Sequence, residues 1–186
     1  MSANSIKPIV LNTEIIARSR LFRIEALDLR FSNGVETRYE RIVGSARGGV
    51  LIVAMPDPKH VFLVREYAAG TDRYELGFPK GRIEGDESEI AAGERELMEE
   101  VGFGAHRLDY LGAVSLAPGY ITHMTHLVLA RDLYPARQEG DEPEDIEVIR
   151  WPLSDLDQLL AREDFSEARS IAALFLVRER LAKESA

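Results

Sequence analysis

The stretch that decides the fold, residues 81–103, reads GRIEGDESEIAAGERELMEEVGF. It begins with a short loop bounded by glycines and continues into a helix predicted over residues 87–101. Asp86 is expected to cap this helix, because Glu89 follows three residues later as in a capping box. Gly102 supplies the glycine that commonly follows the last helical residue. The segment is therefore predicted to form a loop–helix–loop unit.

Carboxylates are concentrated near the end of this helix. Glu96 lies three and four residues before Glu99 and Glu100, so the three side chains are expected to converge. Like charges at this spacing destabilise a helix, and acidic residues are disfavoured near its C-terminus, which suggests that the glutamates have a function. Hard oxygen ligands of this kind suit Mg²⁺ or Mn²⁺, and Arg95 could brace one carboxylate through a bidentate pair. The alternative is an ordinary solvated acidic helix face.

The complete pattern resembles the Nudix box, G-x5-E-x7-R-E-U-x-E-E-x-G-U, in which U is apolar. Every specified position is met, by Gly81, Glu87, Arg95, Glu96, Leu97, Glu99, Glu100, Gly102 and Phe103. Seven fixed letters would coincide by chance about once in 10⁸ trials at average residue frequencies. The match therefore favours a catalytic metal site over a solvated face.

The resemblance implies a hydrolase that cuts phosphorus anhydride bonds and has an α/β/α sandwich fold. In this family the three glutamates of the box bind the metal ions, and the backbone carbonyl of the residue before the box, here Lys80, commonly joins them. Glu87 and Arg95 would hold the loop and the helix together and orient the ligands. Mg²⁺, with Mn²⁺ as the alternative, would bridge the substrate's diphosphate and activate a water molecule.

The flanking sequence predicts the rest of an α+β fold with a mixed sheet. Strands are predicted at residues 9–16, 22–31, 35–42, 49–55 and 60–67 and near 108–116, 125–131 and 146–151, with helices near 153–161 and 166–183. The Asn33-Gly34 pair predicts a hairpin turn. Residues 1–45 are expected to form a small antiparallel sheet that serves dimerisation, and residues 46–186 the catalytic domain.

A second acidic segment, EGDEPEDIE, follows at residues 139–147. Part of it is similar to the E-x-E-D-I stretch of ADP-ribose pyrophosphatases, in which one glutamate contacts metal and a neighbour is a candidate base. This similarity assigns Glu144 as a further metal ligand and Glu142 as a catalytic candidate. The alternative is an ordinary acidic surface loop.

The substrate is indicated by residues outside the box. Pro118 occupies a position where ADP-ribose pyrophosphatases often have proline, and Tyr120 lies near the tyrosine typical of diadenosine polyphosphate hydrolases. Tyr120 could stack on a nucleotide base. The alternative is a Pro-Gly turn with a packing tyrosine. The mixture predicts an enzyme that accepts several ADP-linked compounds.

The resemblance extends along most of the chain to the NudE-type ADP compounds hydrolases, a bacterial branch of the family. It includes residues 17–22, 31–34, 65–68, 74–78, 133–135, 139–144 and 173–179. That branch is associated with ADP-ribose, NADH and short diadenosine polyphosphates, which would yield AMP and a second phosphate product. Ala68 departs from the arginine of wider ADP-ribose pyrophosphatases, so phosphate contact is expected from Arg65 or Arg82 instead.

Composition limits the other possible functions. The net charge of −9 argues against nucleic acid as a partner, and hence against an RNA-end hydrolase. The sequence contains no apolar run long enough to predict a membrane span, so the cytoplasm is the expected compartment. It contains no cysteine, which excludes disulfides and thiolate zinc sites. A GDP-mannose or other nucleotide-sugar pyrophosphatase is the second enzyme hypothesis. A catalytically inactive nucleotide sensor would usually lack part of the metal set, which is complete here.

Overall fold

The computed structural model describes residues 6–141 and 143–184. The chain divides into two compact units. The first contains Met1–Ala46 and Ser115–His123, and the second contains Arg47–Val114 and Met124–Ala186. Glu142, a catalytic candidate in the acidic segment, lies outside the described residues.

The first unit is built on a three-stranded antiparallel sheet. Its strands are β1 (Ile9–Arg18), β2 (Arg23–Arg30) and β3 (Glu36–Val43), in the spatial order β1-β2-β3. The turn between β2 and β3 is closed by a 2.9 Å hydrogen bond from the Phe31 amide to the Val35 carbonyl, and Gly34 adopts a φ of +83° there. A positive φ favours glycine, which explains the hairpin signal at this position. The predicted N-terminal sheet is thus confirmed.

A distant segment, residues 115–123, joins this first unit. The Ile42 amide donates to the Tyr120 carbonyl at 2.8 Å, and the Thr122 amide donates to the Ile42 carbonyl at 3.1 Å. Ile42 and Ile121 form a parallel bridge. The segment therefore pairs with the end of β3. No local sequence pattern indicates this contact, because the two parts are far apart in the chain.

The second unit contains a seven-stranded sheet. Its strands are β4 (Gly49–Asp57), β5 (His60–Ala68), β6 (Arg73–Gly77), β7 (Lys80–Arg82), β8 (Phe103–Ser115), β9 (Met124–Pro135) and β10 (Glu147–Pro152). The main order is β10-β5-β4-β9-β8, with β6 paired to β5 and β7 paired to β4. β4 runs parallel to β9 and antiparallel to β5, so the predicted mixed sheet is confirmed. The short strands β6 and β7 were not predicted from the sequence.

Helices cover both faces of this sheet. They are α1 (Glu89–Glu96), followed directly by a π-helical turn (Leu97–Val101), then α2 (Leu156–Leu160), preceded by a 3-10 turn (Leu153–Asp155), and α3 (Ala168–Glu184). Along β4, Leu51, Val53 and Met55 are buried in the cluster that includes α2 and α3 residues. Val50, Ile52 and Ala54 are buried in the cluster that includes α1 residues. A strand buried on both faces has no polar side, which explains the continuous apolar run and confirms the α/β/α sandwich.

The helix predicted over residues 87–101 begins slightly later than expected and ends at Val101 as predicted, although its last turn is π-helical. Its N-cap is Ser88 and not Asp86, since the Ser88 hydroxyl accepts the Ala91 amide at 3.1 Å. At the other end the Gly102 amide donates to the Leu97 carbonyl, five residues back, at 3.1 Å. This π-helical turn widens the helix at the positions of Glu99 and Glu100.

In residues 6–141 and 143–184, no helix is both long enough and apolar enough to cross a membrane.

Candidate functional site

Arg95 joins the loop and the helix of residues 81–103. Its guanidinium donates to both oxygens of Glu87, at 2.9 and 3.3 Å, and to the Arg82 backbone carbonyl at 2.8 Å. Nη1 of the same group donates to Glu96 at 2.8 Å and to Glu99 at 2.9 Å. These bonds raise the pKa of Arg95, with the hydrogen bond to Glu87 as the largest cause, and they lower the pKa of Glu87. One planar cation thus fixes two glutamates of the helix relative to the preceding loop.

The Glu96 side chain lies against the backbone of Gly81. Glu96 is only 6% exposed, and a Cβ atom at Gly81 would overlap its carboxylate oxygens. Gly81 is held in place by β7, where it pairs with Val50 of the central strand β4. The absence of a side chain at Gly81 therefore creates the space that the Glu96 carboxylate occupies.

Glu100 is the most buried acid of the site, at 2% exposure. Its carboxylate accepts the Lys80 amide at 3.3 Å. Burial raises the pKa of Glu100 to about 9, and the neighbouring charge of Glu66 adds to the rise. A carboxylate buried beside another acid is stabilised in its charged form by a cation, so these surroundings favour cation binding.

Glu66 was not identified from the sequence. It lies on β5, and its carboxylate accepts a short hydrogen bond from the Lys80 ammonium group on β7. The available signal was an acidic residue close to the apolar run of residues 61–64. Its proximity to Glu100 depends on the lateral order of strands in the sheet, which that signal does not give.

The donor set fits a divalent cation by its chemistry. Oε1 of Glu96 and Oε2 of Glu99 accept from the same Arg95 nitrogen. The charges of Glu66 and Glu96 help to raise the pKa of the buried Glu100. Carboxylate oxygens of this kind are preferred by Mg²⁺ and Mn²⁺. Among the residues that the structure describes, no three acidic or histidine side chains already converge tightly enough to hold an ion. Glu96, Glu99 and Glu100 are the carboxylates that would hold the cation.

The acidic segment borders a cleft of about 520 Å³ in the second unit. The cleft is lined by Glu99, Arg137, Gln138, Glu139, Gly140, Pro143, Glu144, Asp145 and Ile146. The predicted ligand Glu144 therefore shares a cleft with Glu99 of the box. Tyr74 on β6, which sequence reasoning missed, donates its hydroxyl to the Glu144 carboxylate at 2.8 Å.

The two predicted phosphate-binding arginines have different surroundings. Arg65 donates to Glu147 at 2.9 Å and to Asp164 at 2.6 Å, so its guanidinium is already engaged by two carboxylates. Arg82 is exposed, and its side chain has no ion pair or hydrogen bond to any residue of the described ranges 6–141 and 143–184. Arg82 is therefore the cation more readily available to an anionic ligand.

Pro118 and Tyr120 both lie in the segment that joins the first unit. The Tyr120 amide donates to the Ala117 carbonyl at 3.1 Å, which closes a tight turn, and the Tyr120 side chain is 58% exposed. The turn agrees with the structural interpretation of this segment, and the exposed ring is accessible to a ligand. A role for either residue in substrate binding stays a prediction.

Two family models match the chain, and the second of them includes residues 115–123 of the first unit. Residues 8–41 match the NudE-type Nudix hydrolase N-terminal domain, and residues 46–175 match the NUDIX domain. The chain is 52% identical to ADP compounds hydrolase NudE of Escherichia coli (strain K12), with 96% of each chain covered. It is 28% identical to the ADP-ribose pyrophosphatase of Bacillus subtilis (strain 168), covering 88% of this chain and 91% of that protein. A crystal structure of an ADP compounds hydrolase superposes with a TM-score of 0.92 at 51% identity, covering 98% of both chains. With its Nudix box intact and the NUDIX domain matching most of its length, the chain belongs to the Nudix family of hydrolases.

Proposed function

We propose that the chain cleaves the diphosphate bond of ADP-linked compounds, releasing AMP and a second phosphate product. The substrates are ADP-ribose, NADH and short diadenosine polyphosphates, and Mg²⁺ is the cofactor, with Mn²⁺ as a substitute. The observation that carries this proposal is the Arg95 network, which holds Glu96 and Glu99 beside the buried Glu100. The choice of ADP compounds is supported by the 52% identity to a relative of that name.

The residues of the box have distinct roles in this proposal. The carboxylates of Glu96, Glu99 and Glu100, with the Lys80 carbonyl, hold the divalent cations. When bound, such cations polarise the diphosphate and lower the pKa of a water molecule. Arg95 is a positioning residue that sets the direction of the glutamate side chains. Gly81 leaves the space in which the Glu96 carboxylate lies.

The acidic segment contributes to the same cleft. Glu144 is proposed as a further ligand or proton acceptor, because it lines the same cleft as Glu99. The hydrogen bond from Tyr74 holds its carboxylate in a defined position. Glu142 keeps its proposed role as a candidate base from the sequence resemblance alone.

Substrate anions are proposed to bind the arginines, and the base to bind the turn at residues 115–123. Arg82 is supported by its exposed guanidinium, which has no partner among the described residues, whereas Arg65 would have to leave Glu147 or Asp164 to contact phosphate. Tyr120 is proposed to stack on a base, with Pro118 shaping its turn. The ligand is a small nucleotide and not nucleic acid, since the chain carries a net charge of −9.

The chain is further proposed to act as a cytoplasmic homodimer that associates through residues 1–45, with residues 46–186 as the catalytic domain. Support comes from β1, an edge strand on which Ile9, Val10, Leu11, Ile15 and Ile16 are all exposed. Exposed apolar residues on an open sheet edge favour association with another chain. Removing residues 1–45 should give monomers or aggregates with poor substrate affinity. A truncated chain that stays dimeric by light scattering and binds normally would contradict this part.

The central experiment is a substrate panel with product identification. The full chain and Mg²⁺ are incubated with ADP-ribose, NADH, diadenosine triphosphate, ADP-glucose and GDP-mannose. AMP from the first three compounds, abolished by EDTA and restored by excess Mg²⁺, is the expected result. Preferred cleavage of GDP-mannose would contradict the proposal and indicate a nucleotide-sugar pyrophosphatase. Turnover that survives chelation by EDTA would contradict the proposed role of the metal.

A further inference from the structure

Arg137 occupies an unusual position in the acidic cleft. Among the described residues that line the cleft, four are acidic, namely Glu99, Glu139, Glu144 and Asp145, and Arg137 is the one basic residue. Arg137 is exposed, and within the described part of the chain its guanidinium forms no ion pair with any of these acids. An arginine whose role is to neutralise or brace neighbouring carboxylates would be expected to contact them.

The backbone on both sides of Arg137 is fixed to the helix of the box. The Ala136 amide donates to the Gly102 carbonyl at 3.0 Å, and the Gln138 amide donates to the Met98 carbonyl at 3.2 Å. The Arg137 side chain also runs over Gly102, since a Cβ atom there would lie 3.4 Å from Arg137 Nη1. Arg137 is therefore held against the π-helical turn that carries Glu99 and Glu100.

The fixed backbone limits the positions that the Arg137 guanidinium can reach. A group with fewer accessible positions before binding loses less conformational freedom when a ligand contacts it. A guanidinium also presents paired donors that match phosphate oxygens. The cleft thus contains a guanidinium with no ion-pair partner within residues 6–141 and 143–184, together with the proposed metal ligand Glu144, which is an arrangement suited to a diphosphate.

We infer that Arg137 is a substrate-binding residue that contacts a phosphate oxygen of the diphosphate substrate. This inference rests on the proposed function and adds a residue that lies outside the Nudix box. Arg137 acts on substrate affinity, because its charge favours the bound diphosphate both before and during cleavage.

The test compares Arg137→Gln and Arg137→Lys with the wild-type chain. Steady-state hydrolysis of ADP-ribose gives KM and kcat, and calorimetry with Mg²⁺ and the non-hydrolysable α,β-methylene analogue of ADP-ribose gives Kd. For Arg137→Gln, KM and Kd should rise about 10- to 100-fold, the usual effect of losing a hydrogen bond to a charged group, while kcat stays within about threefold. The KM and Kd of Arg137→Lys should lie between those of the wild type and Arg137→Gln, because lysine keeps the charge and loses the paired donors.

The matched control is Arg178→Gln on α3, which removes the same charge from an exposed arginine beside Glu179 and Phe175. It should behave like the wild type, and thermal unfolding should show that all variants are folded. If the wild type turns over ADP-ribose and Arg137→Gln behaves like Arg178→Gln, the inference is overturned while the proposed function stands. A fall in kcat with unchanged KM also overturns the binding role. A wild-type chain that neither hydrolyses nor binds these compounds would contradict both the proposed function and the inference about Arg137.

Discussion

The carboxylate of Glu96 lies over the Cα atom of Gly81, in the space that a side chain at residue 81 would occupy. Gly81 is fixed by its pairing with Val50, so the carboxylate would have to yield if a methyl group were added. The glycine that opens the Nudix box is thus explained by contact with one of the box's own glutamates.

Gly81→Ala should therefore reduce activity much more than stability. The added methyl displaces the end of a flexible side chain and not backbone, and no positive φ is required at Gly81. We expect kcat/KM for ADP-ribose to fall roughly 100-fold or more, as for a misplaced catalytic group. Gly70→Ala is the control, since nothing lies within 4 Å of a Cβ there. Equal activities of the two variants would contradict the proposed role of the Gly81–Glu96 contact.

Arg95→Lys should damage the site although it keeps the positive charge. A lysine cannot donate simultaneously to Glu87, Glu96, Glu99 and the Arg82 carbonyl. We expect a loss of about 1–3 kcal/mol in the free energy of unfolding by urea, together with reduced turnover. Arg180→Lys changes an exposed i,i+4 pair with Glu184 and should have little effect. Wild-type stability of Arg95→Lys would show that the network contributes nothing measurable.

Glu100→Gln should retain the fold and lose catalysis. Glutamine keeps an oxygen that can accept the Lys80 amide, so the buried position remains satisfied. The lost charge should lower kcat roughly 10²- to 10⁴-fold, because bound cations contribute several kcal/mol to the transition state. Titration with Mn²⁺ monitored by electron paramagnetic resonance should show weakened binding. Glu94→Gln, the same change on the same helix, should leave both quantities unaltered.

Tyr74→Phe should weaken catalysis by freeing Glu144. The variant removes the hydroxyl that donates to the Glu144 carboxylate and keeps the ring. We expect a two- to tenfold fall in kcat/KM for ADP-ribose, the order of one ordinary hydrogen bond. Tyr67→Phe is a close control, since the Tyr67 hydroxyl donates to Asp72 instead and its ring packs edge-on against Tyr74. Equal effects of the two substitutions would argue against a positioning role for Tyr74.

Asp164 should make stability depend on pH in the acidic range. Hydrogen bonds from Arg162 and Arg65 hold the pKa of Asp164 well below its usual value of 3.8. A lowered pKa in the folded state contributes stability above about pH 3.8, and this contribution is lost as the pH falls further. Asp164→Asn should thus cost about 1–2 kcal/mol at pH 7 in urea unfolding, with the difference shrinking below about pH 4. The exposed Asp86→Asn serves as control, and a pH-independent difference for Asp164→Asn would contradict the assignment.

The contrast between the box and its surroundings shows where sequence reasoning succeeds. Glu96, Glu99, Glu100 and Arg95 lie within two turns of one helix, so their spacing along the chain already indicated their proximity. The apolar run of β4 and the Asn-Gly turn likewise predicted a buried strand and a hairpin, which the structure confirms. The predicted N-cap of the helix was wrong. Ser88 caps α1 in place of Asp86, because the Ser88 hydroxyl accepts the Ala91 amide.

The sequence by itself indicated the family through its resemblance to the Nudix box, and the sandwich fold through that resemblance and the order of the predicted strands and helices. It also indicated the acidic helix, because that feature depends on spacing within one element. Tertiary structure alone placed Glu66 beside Lys80 and Glu100, joined Tyr74 to Glu144, and fixed Arg137 against the π-helical turn. Each of these relationships links elements far apart in the chain. Their distances follow from strand order and close packing, which local propensities do not encode.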